Sequence, residues 1–146
     1  NEINPEFIRL RSLHVTPTMP LWSRLRNGDF ELQDEDDVVR EIQGLLERLD
    51  VTSQFKSDHI LNLLMEIDGT LPADRSKFLA IIDRYLSLPD DERLIFRLGR
   101  RMGFYSSLDD LSDPARHERM ADALRRIRGR GDDVEDVIRR LKDGFI

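Results

Sequence analysis

The sequence predicts an all-α fold, a compact bundle of about six helices with short loops and an extended N-terminal arm. Its 146 residues are about the length of one domain. Charged residues make up 36% of the chain and hydrophobic residues 39%, a balance typical of amphipathic helices that each bury one stripe. Aromatic residues are only 7%, fewer than a sheet usually requires, and no segment alternates cleanly between polar and apolar residues.

The N-terminal part of the chain lacks helical periodicity. Residues 1–7 end in Glu6-Phe7, a dipeptide that cloning sites often leave, and we predict that this segment is a cloning scar. Residues 8–19 are predicted to be an extended arm, because their apolar residues are loosely spaced and prolines recur. The arm must lie on an apolar surface, of its own domain or of a partner. Residues 20–146 are predicted to form a single helical domain.

Six principal helices follow from the 3.6-residue periodicity and from capping residues. They are preceded by a short amphipathic turn that begins at Pro20 and that Asn27-Gly28 ends. In chain order the predicted helices cover 34–49, 57–69, 72–86, 89–103, 113–128 and 132–141. The helix over 57–69 has apolar residues on more than one face, which is typical of a central helix. A further short helical turn is predicted over 104–111.

The segment from Asp29 to Asp37 carries six acidic residues and no basic one. Its last four residues stand at the start of a predicted helix, where carboxylates complement the positive end of the helix dipole. We interpret the cluster as a helix cap next to a solvated loop. A metal site, or a site for a basic partner, is the alternative.

No arrangement typical of catalysis or metal binding is evident. The chain has no cysteine, which excludes disulfides, thiolate metal sites and cysteine nucleophiles. Glycine-rich phosphate loops are absent, and none of His14, His59 and His117 stands in a recognisable nucleophilic triad. We therefore predict a protein that is not an enzyme and that binds no metal or cofactor. The weakest hypothesis is an enzyme that uses His59 or His117 with nearby carboxylates.

Two further features concern the location of the protein. No apolar run is long enough to cross a membrane, and no basic-then-apolar leader opens the sequence. The absence of cysteine suits a reducing compartment. We predict a cytoplasmic protein, or one exported without a classical signal peptide.

Positive charge is concentrated in residues 93–130, which carry 10 basic and 5 acidic side chains. Arg97, Arg100 and Arg101 are spaced i, i+3 and i+4, so they share one face of a predicted helix. Phe104 and Tyr105 follow at its end, and aromatic residues often anchor interfaces. These five residues are the predicted binding site. Salt bridges to the acidic half of the same chain are the alternative explanation for the arginines.

The function that these residues favour is a non-catalytic, helical protein–protein interaction domain of adaptor, regulatory or effector type. Its arginine-rich face would bind an acidic surface of another protein. A nucleic-acid-binding module is the alternative, since guanidinium groups also pair with phosphate. The isoelectric point of about 5.1 favours the protein partner. A second basic stretch, Arg125 to Arg130, looks like an arginine-glycine tail but is predicted to join two helices with balanced charge.

Overall fold

Helices account for most of residues 3–144, the part of the chain that the computed structural model describes. In chain order the elements are β1 (Phe7–Arg9), α1 (Leu21–Asn27), α2 (Glu35–Arg48), β2 (Gln54–Lys56), β3 (Asp68–Thr70), α3 (Arg75–Leu86), α4 (Asp90–Arg101), a short 3-10 helix (Leu108–Ser112), α5 (Pro114–Gly129) and α6 (Val134–Asp143). The prediction of a mostly helical, compact fold is confirmed. The prediction that it is purely α-helical is wrong, because three short strands form a sheet.

The sheet attaches the N-terminal arm to the rest of the fold. β1 pairs in parallel with β2, and β2 pairs antiparallel with β3. Beyond β1 the Leu10 backbone N–H donates to the Lys56 carbonyl, and the Asn62 side chain bridges the Leu10 carbonyl and the Ser12 N–H at 3.0 Å each. The arm therefore lies on its own domain through residue 12. The assignment of residues 1–7 to a cloning scar stays a prediction, although Phe7 belongs to β1.

The helix predicted over 57–69 is wrong. The Ser57 N–H donates to the Ile67 carbonyl at 3.0 Å, which extends the β2–β3 pairing and turns the intervening residues into a loop. The apolar residues that suggested a helix are nevertheless core residues, because Leu61, Leu63 and Leu64 are at most 6% exposed. Apolar side chains on all sides of this segment thus indicated a buried loop. Because the loop has no helical hydrogen bonds, its backbone N–H and C=O groups need other partners.

The core lies between the helices and the sheet. Helix α4 packs against α5 and α6, while α2 packs against α3. The largest fully buried side chains come from strand, helix and loop alike: Phe55, Phe78, Tyr85, Phe96, Leu46, Ile67, Leu71, Ile82, Leu98, Leu108, Met120 and Ile138. Helix α1 contributes no buried residue and lies at the edge of this core.

Capping residues fixed most helix ends as predicted. Gly28 ends α1 with φ of 77°, and the Asp34 carboxylate accepts from the Asp37 N–H at the start of α2. Asp113 caps α5, with Pro114 at its first position. The last helix is capped by Asp133 instead of the predicted Asp132. Helix α3 begins at Arg75, later than predicted, because Pro72 belongs to the preceding turn.

Candidate functional site

The three arginines of the predicted binding site lie on α4 and are buried. Their exposed fractions are 4% for Arg97, 8% for Arg100 and 3% for Arg101. The face that they share points toward the first turn of α2, the first turn of α6 and the loop after β2. The predicted exposure of this arginine face is therefore wrong, and the cause is that the carboxylates and carbonyls of the same chain neutralise it.

Arg97 joins three helices. Its Nε lies 3.2 Å from Glu35 Oε2 on α2, and its Nη1 donates to Glu135 Oε1 on α6 at 2.8 Å, with a second bond from Nη2 to Glu135 Oε2. Burial opposes the charge on Arg97, but the Glu135 hydrogen bond and the charges of Glu35 and Glu135 together raise its pKa above the usual value. The side chain therefore stays charged inside the fold.

Arg100 and Arg101 satisfy the backbone of the buried loop. Arg101 pairs with Glu35 and also donates to the carbonyls of Ile60 at 3.2 Å and Leu61 at 3.0 Å. Arg100 donates to the Asn62, Leu63 and Tyr105 carbonyls at 2.8 to 3.2 Å. These guanidinium groups take the place of the helical hydrogen bonds that the loop lacks. Burial, with the charge of Arg101 nearby, lowers the pKa of Arg100.

Asp36 forms a second buried contact next to this network. Its carboxylate accepts a hydrogen bond from the Tyr85 hydroxyl and lies 2.8 Å from Arg93 Nε. Glu35 and Asp36 are 7% and 9% exposed, so these two members of the acidic segment are not in a solvated loop. The cap at Asp34 is confirmed, and so is the alternative that the arginines pair with the acidic half of the chain.

The network of Glu35, Asp36, Arg97, Arg101 and Glu135 is suited to structure, because its carboxylates and guanidinium groups pair with one another. It joins α2, α4 and α6 by charge-assisted hydrogen bonds, which are shorter and stronger than neutral ones. Within residues 3–144 no cluster of three or more histidine and acidic side chains could hold a metal ion.

The two aromatic residues of the predicted site, Phe104 and Tyr105, lie in different environments. Tyr105 is 2% exposed and stacks on Phe96 with ring centroids 6.0 Å apart. Phe104 remains partly exposed, with the Arg119 guanidinium 5.1 Å from its ring centroid. Of the five predicted site residues, Phe104 is thus the only one that reaches the surface. Tyr105 lacks the exposure that an interface anchor needs, because its ring fills the space beside a helical glycine, Gly99.

The three histidines lie apart from one another. His117 Nε2 is 2.9 Å from a carboxylate oxygen of Glu92, and His14 Nδ1 is 3.6 Å from Asp143 Oδ1. His59 accepts a hydrogen bond from the Leu61 N–H at 3.3 Å within its own turn. Each histidine therefore has a local contact on a different part of the fold.

An open groove runs between the N-terminal arm and α2, with a volume of about 610 Å³. One wall is the Leu10–Ser12 segment, and the other is formed by Val38, Ile42 and Leu45 of α2. Leu45 is 40% exposed, although it directly precedes the fully buried Leu46. Arg11 and Arg48 lie at the rim of the groove.

Sequence reasoning missed this groove, although a signal was present. Helix α2 buries Val39 and Leu46 in the core, and Val38, Ile42 and Leu45 extend its apolar face sideways. A stripe that is wider than one core contact indicates a second apolar surface. The identity of the opposite wall could not be read from the helix, because it depends on where the arm docks.

No protein family, curated protein or solved structure matches the chain. No helix within residues 3–144 combines the length and the apolar character that crossing a bilayer requires. Evidence on function therefore comes from the geometry of the described residues themselves.

The two tyrosines of the chain make stability sensitive to alkaline pH. Burial raises the pKa of Tyr85 above its usual value, the hydrogen bond to Asp36 adds to this, and burial raises the pKa of Tyr105 to about 12. Unfolded tyrosines titrate near pH ~10. The folded chain holds these protons more tightly, so the associated stability is present below about pH 10 and is lost as the pH rises through the folded pKa values.

In an alkaline titration we expect phenolate absorbance to appear together with the loss of helical circular dichroism. As the pH rises from about 10 toward that transition, the free energy of unfolding should decrease progressively. A tyrosine that ionises near its usual pKa in a chain with unchanged circular dichroism would contradict the burial of these two side chains.

Proposed function

We propose that this chain is a non-catalytic protein–protein interaction domain and that the groove between the arm and α2 is its binding surface. The occupant is an amphipathic helical segment of another protein, with apolar residues on one face and acidic residues beside them. The observation that carries this proposal is an open apolar groove flanked by two arginines that have no carboxylate partner in the described part of the chain. The predicted protein partner with an acidic surface is thereby retained, at a different place on the fold.

The apolar part of the groove supports a helical occupant. Val38, Ile42 and Leu45 follow one another at spacings of four and three residues along α2, so they form a ridge on its outer side. Ridges of this kind pack into the grooves of a second helix. Leu10 on the arm provides the apolar surface opposite the ridge.

The charge at the rim supports an acidic occupant. Arg40 forms an ion pair with Asp37 at 2.8 Å, whereas Arg11 and Arg48 form no ion pair within residues 3–144. Arg48 instead donates to the Gly44 carbonyl at 2.8 Å, a bond that it can exchange for a carboxylate. Glu41 is the acidic side chain among the lining residues, so the groove carries a positive excess. Opposite charge across an interface mainly provides specificity and fast association.

The burial of the three arginines of α4 weakens the nucleic-acid hypothesis. Arg97, Arg100 and Arg101 already contact Glu35, Glu135 and loop carbonyls within the domain. This burial removes the main reason for that hypothesis, which depended on the same three side chains. The groove, in contrast, combines apolar area with two arginines that form no ion pair within residues 3–144.

The proposal can be tested by affinity selection from a library of displayed helical peptides, each 14 residues long like α2. We expect the enriched peptides to carry apolar residues at spacings of three and four, with acidic residues beside them. The Leu45→Ser and Arg48→Glu variants should each bind these peptides at least about tenfold more weakly, because burial of one leucine contributes about 1.5–3 kcal/mol.

Two variants serve as matched controls. Met102→Ser alters a side chain that is 42% exposed, against 40% for Leu45, and Arg126→Glu makes the same charge change as Arg48→Glu on the exposed face of α5. Both should bind like the unchanged domain. Equal binding by the groove variants would overturn the proposal. So would groove-dependent self-association in sedimentation, or duplex DNA binding that is lost in Arg48→Glu.

A further inference from the structure

A second concave site lies on the other side of the arm and shares no lining residue with the groove. It is a cavity of about 330 Å³ enclosed by the Leu13–Val15 segment, α1, the residues before α2, and α6. Volumes of this order are typical of small-molecule sites. The segments that enclose this space are distant from one another in the sequence. Together they place an apolar wall opposite a charged floor.

The apolar wall comes mainly from the arm and α1. Trp22, Leu25 and Leu32 line it, and Val15 and Ile138 close it toward the core. Helix α1 buries none of its own residues, so its apolar side chains face this cavity without filling the core. An indole beside branched aliphatic side chains forms a surface suited to a flat apolar group.

The floor of the cavity contains an ammonium group without a hydrogen bond. The Lys142 side chain is 18% exposed, and its nearest carboxylate oxygen, on Glu35, is 4.0 Å from Nζ. Among the contacts of residues 3–144, Nζ donates none of its three hydrogen bonds. The Nζ atom is not fully buried, so a ligand that enters the cavity can reach these donors.

The carboxylates near Lys142 have other partners. Glu35 pairs with Arg97 and Arg101, and both oxygens of Glu135 accept from Arg97. At the mouth, Asp34 accepts from the Asp37 N–H, and Asp143 lies 3.6 Å from His14. The Lys142 ammonium therefore has one long ion pair within residues 3–144, at 4.0 Å, with a carboxylate that also binds two guanidinium groups.

The electrostatics of Lys142 agree with this geometry. Burial lowers its pKa, and the attraction of Glu35 and Asp143 offsets that effect only in part, since Arg101 and Arg97 repel the ammonium. An additional anion beside Lys142 would stabilise the charged form. Lys142 is thus the part of the lining that is suited to a negative group.

From the cavity, its indole-bearing wall and an ammonium that donates no hydrogen bond within residues 3–144, we infer that this site binds a small organic anion. The ligand class is a carboxylate attached to a flat apolar body. Its carboxylate accepts hydrogen bonds from Lys142 Nζ, and its body packs against Trp22 and Leu25. This binding is distinct from the proposed protein interaction and does not depend on it.

The test uses phenylacetate and 3-phenylpropionate as probes, with phenylacetamide as the neutral analogue and phenethylamine as the cationic one. Trp22 is the one tryptophan of the sequence, so intrinsic fluorescence reports directly on the cavity wall. We expect both carboxylates to change this fluorescence saturably and to bind at least about tenfold more tightly than the amide, with no binding of the amine.

Lys142→Met should weaken carboxylate binding at least about tenfold while amide binding stays the same. The matched control is Lys77→Met, which removes an exposed lysine of α3. Thermal unfolding without ligand verifies that both variants are folded. Equal affinity for carboxylate and amide, unchanged binding by Lys142→Met, or no saturable binding by the unchanged chain would overturn the inference.

Discussion

Replacing Arg101 with methionine is expected to lower the free energy of unfolding by about 3–5 kcal/mol, the usual effect of removing one member of a buried ion pair. The substitution leaves the Glu35 carboxylate, 7% exposed, with one guanidinium fewer. It also removes the donors for the Ile60 and Leu61 carbonyls in the buried loop. Urea denaturation followed by circular dichroism measures this effect.

Two comparisons isolate the buried pair. Arg125→Met removes a guanidinium that pairs with Glu118 at 2.7 Å at the surface, and exposed pairs contribute only about 0.2–1 kcal/mol. The double variant Glu35→Gln, Arg101→Met should lose less free energy of unfolding than the sum of the two single variants. In the double variant, neither substitution leaves the partner's charge unpaired. A loss of less than about 1 kcal/mol for Arg101→Met would show that the pair is solvated, because exposed pairs contribute no more than this.

The second large effect is expected for Gly99→Ala on α4. A methyl group at this position would lie 2.2 Å from Cδ2 and 2.5 Å from Cε2 of the Tyr105 ring. The ring has little room to move, because Tyr105 is 2% exposed and stacks on Phe96. Overpacking of this kind costs typically about 1–3 kcal/mol. The net effect should be destabilising even though alanine favours a helix.

Gly129→Ala is the matched control for this substitution. Gly129 ends α5, and a methyl group there would have no atom within 4 Å. Helix propensity alone should then raise the free energy of unfolding, by up to about 1 kcal/mol. Thermal or urea denaturation of the two variants should give opposite signs. A stabilising Gly99→Ala would mean that Tyr105 does not pack against this face of α4.

Helix ends were predictable from the sequence because their causes are local. Asp34 and Asp113 cap helices with their own side chains, and Gly28 adopts the left-handed conformation that a helix end requires. Such signals act over one helical turn, so no knowledge of the fold is needed to read them. The same applies to Arg126 and Arg128, which lie in the last turn of α5 as predicted, whereas Arg125 precedes that turn.

The two main errors, at the loop over 57–69 and at the arginine face, share one physical origin. Apolar residues on several faces are compatible with a buried helix or a buried loop, and only the hydrogen-bond partners of the backbone distinguish them. Those partners are Arg100 and Arg101, which are 37 to 41 residues away from the carbonyls that they bind. Neither segment could be interpreted alone, because each supplies what the other lacks.

The candidate sites show the same dependence on distant contacts. The apolar width of α2 indicated a further surface, but the groove exists only because β1 and Asn62 hold the arm beside it. In the sequence, nothing distinguishes Lys142 from an exposed lysine. In the described part of the fold, its ammonium is held only by a long contact to Glu35, because Glu35 and Glu135 bind Arg97. The charge pattern therefore predicted that ion pairs would form within the chain. It did not predict which charged side chain would donate no hydrogen bond.

The docked arm has a consequence for how the two proposed sites communicate. Residues 10–12 form a wall of the groove, and residues 13–15 form a wall of the cavity, so one short segment is shared by both through the backbone. The arm holds to the domain through contacts across about 50 residues of chain, such as Ser12 with Asn62. Neither proposed site requires the other to be occupied. An occupant of one would nevertheless contact the same backbone segment that lines the other, and any change in affinity that this causes would be reciprocal.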